Sequence, residues 1–166
     1  MAIKRGDKFP QDVTLYHIAP SGGDPTSVNL SDLTKGKKFV LVSIPGAYTP
    51  PCTDDHLPGY VAKLPQILRK GIDLVLVVTA NDPFVLRSYK NYLGAKGQDK
   101  FLFLSDTKLE LSKKLAKTID LSSVGLGERS TRLAIIVNRF GIVEFAAIED
   151  GGAVKESTAD KLLAKL

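Results

Sequence analysis

Residues 45–60 read PGAYTPPCTDDHLPGY and contain Cys52, the only cysteine of the 166-residue chain. A lone cysteine is most often a small buried hydrophobe. Its neighbours here argue for chemistry instead. A short apolar run ends at Pro45, and helical periodicity begins near Cys52, so the thiol opens a helix after a strand. That turn lies at the carboxyl end of a sheet strand, where ligand sites gather in α/β folds. Unpaired amides and the helix dipole favour an anion there, so a depressed thiol pKa is expected for Cys52. Thr49, three residues earlier, is placed to cap the turn or to hydrogen-bond the sulfur. Pro50 and Pro51 carry no N–H and stiffen the loop, and Pro51 should push Pro50 towards an extended conformation. The helix therefore starts no earlier than about Pro51. His56 follows Cys52 by four residues, a spacing that puts both on one helical face. A general-base role for His56, as in Cys–His hydrolases, is the weaker reading; a structural histidine packed near the site is preferred, because no third group is seen to orient it.

The elements that must hold this site follow from periodicity. VTLYHI alternates and reads as a strand, and APSGGDPTS as a surface loop. KFVLVSIP, IDLVLVVT and FLFLSD read as buried strands. A helix is expected over residues 52–70, with Leu57, Val61, Leu64, Ile67 and Leu68 apolar at helical spacing. Pro58 and Pro65 predict a kink or break in it. NDPFVLRSYKNYLG reads as a helix capped by Asn81 or Asp82, with Pro83 first and Gly94 at its end. TKLELSKKLAK is amphipathic, RLAIIV and IVEFAAIE flank the turn NRFG, and STADKLLAKL is a last helix with Ser157 and Asp160 as a capping box. Strands alternating with helices, then a hairpin, make an α/β fold: a mixed, largely parallel central sheet in a thioredoxin-like arrangement over one domain, 1–166.

Composition limits the partners. The net charge is +5 with 25% charged residues, no long run of like charge and few aromatics, so nucleic-acid binding is not expected. A single cysteine excludes an intrachain disulfide and a cysteine-rich zinc site, and no metal or cofactor is expected. The amino-terminal segment lacks an apolar signal core, and no apolar run is long enough to span a bilayer. A reducing compartment is the expectation.

PGAYTPPCTDDHLPGY closely resembles the active-site loop of the type-five peroxiredoxins: proline, three residues, threonine, two residues, cysteine. The resemblance continues through KGIDLVLVVTANDPFVLRSYKNYLG, FLFLSD and RLAIIVNRFGIVEFAAIE, covers nearly the whole chain, and is strongest to the single-domain peroxisomal peroxiredoxins of yeasts. It implies a thioredoxin-like fold with extra N-terminal strands. It also implies that Cys52 is the peroxidatic cysteine of a thiol-dependent peroxidase acting on hydrogen peroxide and organic hydroperoxides. By the same resemblance Thr49 hydrogen-bonds thiolate and peroxide, Pro45 shapes and shields the loop, and Arg132 is the active-site arginine, with Arg129 its nearby rival. The family's usual amide donor before the cysteine is missing at Pro51. With no second cysteine, the oxidised sulfur must be resolved by an external thiol: glutathione, glutaredoxin or thioredoxin. The alternative is a peroxide sensor, redox relay or chaperone-like binder on the same fold. The resemblance further implies a homodimer, with Tyr48 and DPFVLRS as candidate contacts. The terminal Ala164-Lys165-Leu166 resembles a peroxisomal import address, which makes the peroxisomal matrix the expected location, read by an import receptor, and the cytosol the second. Such an address requires the last residues to be accessible.

Overall fold

Three short β-branched runs build the middle of the molecule. The structure, a computed structural model, describes residues 2–166. Strand β1 is Thr14–His17, β2 Thr26–Asn29, β3 Phe39–Ser43, β4 Leu74–Thr79, β5 Phe101–Ser105, β6 Ile119–Leu121, β7 Gly127–Arg129, β8 Leu133–Val137 and β9 Val143–Ile148. Helix α1 is Leu30–Thr34, α2 Leu57–Arg69, α3 Pro83–Tyr92, α4 Glu110–Leu115 and α5 Ala159–Leu163. Seven strands form one sheet in the order β2-β1-β5-β4-β3-β8-β9, and β6 pairs with β7 as a separate ribbon. The centre, β3, β4 and β5, is parallel; β1, β8 and β9 join it antiparallel. The result is the mixed thioredoxin-like α/β sheet that the alternation of strands and helices implies.

The period of two along each central strand divides the core. Val40, Val42, Val75, Val77, Ala134 and Ile136 face one cluster, closed by Leu57, Tyr60, Leu64 and Ile67 of α2, Leu86 and Tyr89 of α3, and Ala159 and Leu162 of α5. Phe39, Leu41, Leu76, Val78, Ile135 and Val137 face the other, closed by Leu30, Leu111 and Leu115. Cys52 belongs to the first cluster.

Several local expectations need correction. The break expected in the helix over 52–70 is present near Pro58, where a π-helical turn, Pro51–His56, leads into α2, whereas Pro65 lies inside α2 without ending it. The break comes at His56, with φ −106° and ψ −68°, and lets Pro58 sit in the first turn of α2, where its missing N–H costs nothing. Pro50 is helical, φ −56° and ψ −49°, not extended. Both ring-fixed φ values suit a helix, and neither nitrogen needs a partner in a first turn. The cap of α5 is Thr158, whose side chain accepts from the Lys161 amide, so Ser157 and Asp160 form no capping box. Strand β2, helix α1 and the β6–β7 ribbon occupy segments whose sequence shows no clear period. Asp82 caps α3 by accepting from the Val85 amide, Pro83 follows it, and Gly94 has the φ of +82° that ends a helix.

Candidate active site

The loop from Pro45 to the π-helical turn leaves the carboxyl end of β3. Cys52 is fully buried in its first turn, 0% exposed. The Leu57 amide donates to the Cys52 carbonyl, closing the wide turn, while the Thr53 amide donates to the Thr49 carbonyl at 3.0 Å. Among the described residues the Cys52 amide makes no backbone hydrogen bond, so its N–H remains a donor at the mouth of the turn. The Thr49 hydroxyl donates to the Gly46 carbonyl at 2.7 Å. That bond uses its proton and leaves its lone pairs to accept from a bound group.

The loop is fixed by residues far away in sequence. The Ala47 amide donates to Asn81 Oδ1 at 2.8 Å, and the Thr79 hydroxyl donates to the same oxygen. Arg129 donates from Nε to the Leu126 carbonyl and from Nη1 to the Pro45 carbonyl at 3.2 Å. The Ser130 hydroxyl donates to the Ile44 carbonyl at 2.7 Å. A Cβ at Gly46 would lie 2.9 Å from Arg129 Nη1 and 3.2 Å from Thr49 Cγ2, so a side chain there would displace the arginine that holds the Pro45 carbonyl. Tyr48 adopts a left-handed φ of 64°, held by a 2.6 Å hydroxyl contact with Ser88 and by its ring against Tyr89 at 4.9 Å. Tyr89 in turn shares a hydrogen bond with Thr53 at 3.0 Å, and burial is the main cause that pushes its phenol up to about 12. The positive charge of Arg132 opposes that rise.

Arg132 is 1% exposed, the residue before β8. Its Nη1 lies 3.0 Å from His56 Nδ1, and its buried Nε has no partner among the described residues. His56 Nε2 lies 2.9 Å from the Ser157 carbonyl. Since a carbonyl only accepts and a guanidinium only donates, the neutral imidazole carries its proton on Nε2 and accepts at Nδ1. Burial, first, lowers the His56 pKa to about 4; the Ser157 bond opposes this, the Arg132 charge adds to it, and the Glu149 charge opposes it. Tyr60 donates to the same Ser157 carbonyl at 2.6 Å. Ser157 is held by Glu149, whose Oε2 accepts from the amides of Lys155, Glu156 and Ser157 and from the Ser157 hydroxyl. Burial pushes the Glu149 carboxyl up, but these hydrogen bonds outweigh it and leave the pKa below the ordinary value.

Pro45, Thr49 and Cys52 lie along one loop and the turn that follows it; Arg129 holds the loop at the Pro45 carbonyl, and Arg132 is tied to the far end of the turn through His56. His56 is not directed at the cysteine. Both ring nitrogens are engaged elsewhere, Nε2 by the Ser157 carbonyl and Nδ1 by Arg132. That removes the geometry a Cys–His hydrolase needs. Asn81, Ser130, Glu149 and Ser157 escaped the sequence reading as site residues. Asn81 carried the signal of a helix cap and Ser157 that of a capping box. Glu149 carried none, since its partners lie on a loop of no regular period.

Comparison with known proteins agrees with this arrangement. Residues 4–163 match the Redoxin family model. A Candida boidinii protein named "Putative peroxiredoxin-B" is 62% identical over 99% of this chain and 98% of its own. A Lipomyces kononenkoae protein named "Putative peroxisomal peroxiredoxin" is 38% identical over 96% of this chain and 99% of its own. The crystal structure of reduced Prx3 from Vibrio vulnificus in complex with hydrogen peroxide superposes with a TM-score of 0.85 and 32% identity, over 98% of this chain and 94% of that one. A fully buried thiol at the head of a π-helical turn, with a buried arginine bound to the last residue of that turn, is therefore seen on the thioredoxin-like sheet of a chain that belongs to the Redoxin family, among the peroxiredoxins.

Proposed function

We propose that the chain is a one-cysteine, thiol-dependent peroxidase in which Cys52 is the nucleophile. The observation that carries this is Arg132: a buried guanidinium with a neutral histidine as its side-chain hydrogen-bond partner and an unpartnered Nε. A buried cation without a carboxylate is costly unless the site supplies the anion. A thiolate at Cys52 and the charge developing on a peroxide are such anions. The Cys52 thiolate attacks one oxygen of a hydroperoxide, the S–O bond forms as the O–O bond breaks, and the other oxygen leaves as alkoxide or hydroxide and takes a proton. Cys52 is oxidised to sulfenic acid and the peroxide is reduced to alcohol or water. One external thiol then condenses with the sulfenic acid, releasing water, and a second thiol frees Cys52 as it forms a disulfide with the first. Glutathione, glutaredoxin and thioredoxin supply this chemistry. Thr49 accepts from the bound peroxide, and the Cys52 amide and Arg132 donate to it.

Tyr48, Phe84 and Tyr92 support a homodimer across the loop: they are 44%, 53% and 67% exposed, and Phe84, Ser88 and Tyr92 lie on one face of α3 beside Tyr48. The name of the Lipomyces relative supports a peroxisomal location. Ala164 and Lys165 are exposed, but Leu166 packs against the core, so an import receptor would have to unpack the last turn. Adding one residue after Leu166 is expected to leave the protein in the cytosol; unchanged import overturns that reading. The enzymatic reading is tested by steady-state peroxide consumption with each candidate thiol. Many turnovers per wild-type chain and none for Cys52→Ser are expected. A stall after one peroxide per Cys52 would instead mark a sensor, and full activity of Cys52→Ser would overturn the role of the cysteine.

A further inference from the structure

On the flank of α3 turned away from the tyrosines lies a cavity of about 280 Å³. Its floor is apolar: Leu86 and Phe103 are buried, and Leu102 is half-buried. Its rim carries Arg87, Lys90 and Lys96 against a single acid, Asp99. None of the three cations makes an ion pair among the described residues, although six such pairs form elsewhere. The Lys90 ammonium bonds only the Gln98 carbonyl, at 2.8 Å, which leaves two of its three N–H donors. His17 closes the remaining side, at the end of β1.

An apolar floor under unpaired cations matches a ligand with the opposite halves. The volume lies at the small end of ligand pockets, which fits a short body. We propose that this cavity binds a small amphipathic monoanion, an acyl or aryl body with one carboxylate. The body covers Leu86, Leu102 and Phe103, and the carboxylate pairs with Arg87 and Lys90. A neutral body of the same size forgoes the ion pairs, and an inorganic anion forgoes the apolar contact. The site is separate from Cys52, since the side chains of α3 that reach the active-site loop, Ser88 and Tyr89, lie on its other side.

His17 reports occupancy. It is one of only two histidines in the chain, and burial followed by the Lys90 charge lowers its pKa. A carboxylate placed beside Lys90 offsets that charge and raises the pKa again. The test is an NMR titration of the imidazole signals with octanoate, octan-1-ol and inorganic phosphate, on wild type and on the doubly substituted Arg87→Glu/Lys96→Glu protein. The expected result is a saturable shift of the His17 signals with octanoate alone, His56 unmoved. Affinity should weaken about tenfold or more in the double variant and fall with added salt. Circular dichroism checks that this surface variant is folded, and the salt series on wild type tests the charge argument without it. No saturable shift, an equal response to phosphate or octan-1-ol, or an octanoate affinity insensitive to salt overturns the proposal.

Discussion

His56 Nδ1 accepts from Arg132 Nη1 at 3.0 Å, while the opposite ring nitrogen donates to Ser157. The imidazole therefore orients a cation that has no carboxylate to orient it. Removing the acceptor should free the guanidinium without touching the thiol. A hydrogen bond to a charged group contributes about 1.5–3 kcal/mol, so His56→Ala should lower the catalytic efficiency with peroxide roughly tenfold to a hundredfold. His56→Asn, which can place an oxygen near Nδ1, should recover most of the loss; His56→Gln, which better replaces Nε2, should recover less. Steady-state peroxide kinetics check this, and equal defects in Asn and Ala variants would refute the orienting role.

The same network sets the response to acid. The folded His56 pKa is about 4 against an ordinary value of 6.5. The unfolded chain therefore binds the proton first, and stability is full above 6.5 and lost as pH falls towards 4. At about 1.4 kcal/mol per unit the loss is on the order of 3 kcal/mol. Glu149 acts in the same direction at lower pH: its lowered carboxyl contributes stability above the ordinary value of 4.5, lost as pH falls through the folded pKa. Urea unfolding of wild type and His56→Gln between pH 7 and 4 should show a shallower decline in the variant. Parallel curves would mean that another group carries the transition.

In the proposed cycle, Thr49 and the Cys52 amide bear what a donor at Pro51 would otherwise share. The Thr49 proton is held by the Gly46 carbonyl, which leaves its oxygen as an acceptor. Thr49→Val should then lower peroxidase efficiency by about a hundredfold, the scale of one lost hydrogen bond to a reacting oxygen. Thr49→Ser keeps the hydroxyl and should stay within a few-fold of wild type. A Thr49→Val protein with normal rates would remove Thr49 from the reaction.

The parts of this molecule with a strong period were readable from sequence. Short continuous β-branched apolar runs such as KFVLVS, ended by a proline, fit a strand buried on both faces, and Pro83 and Gly94 bracket α3 by fixed backbone geometry. The place of Cys52, in the first turn of a helix that follows a buried strand, was readable because apolar run, prolines and helical period succeed one another there. The supports of the site were not. Asn81 reaches Ala47 across 34 residues, and Ser157 reaches His56 across 101, so no local pattern joins them. Pro50 misled for the opposite reason: a local steric preference gave way to the first turn of a helix.

The π-helical turn has a consequence of phase. The wide turn from Pro51 to His56 holds one residue more per turn than the α2 that follows it. That extra residue works as a shim between two rotating parts: it sets the angle at which Cys52 is presented once α2 has seated its own apolar stripe. Removing one exposed position, Asp54 or Asp55, would allow an ordinary helix from Pro51 onward with α2 undisturbed. The sulfur would then be turned by about 100° about the helix axis. A chain shortened in this way would keep its fold and its thiol, yet present that thiol on a different side of the helix.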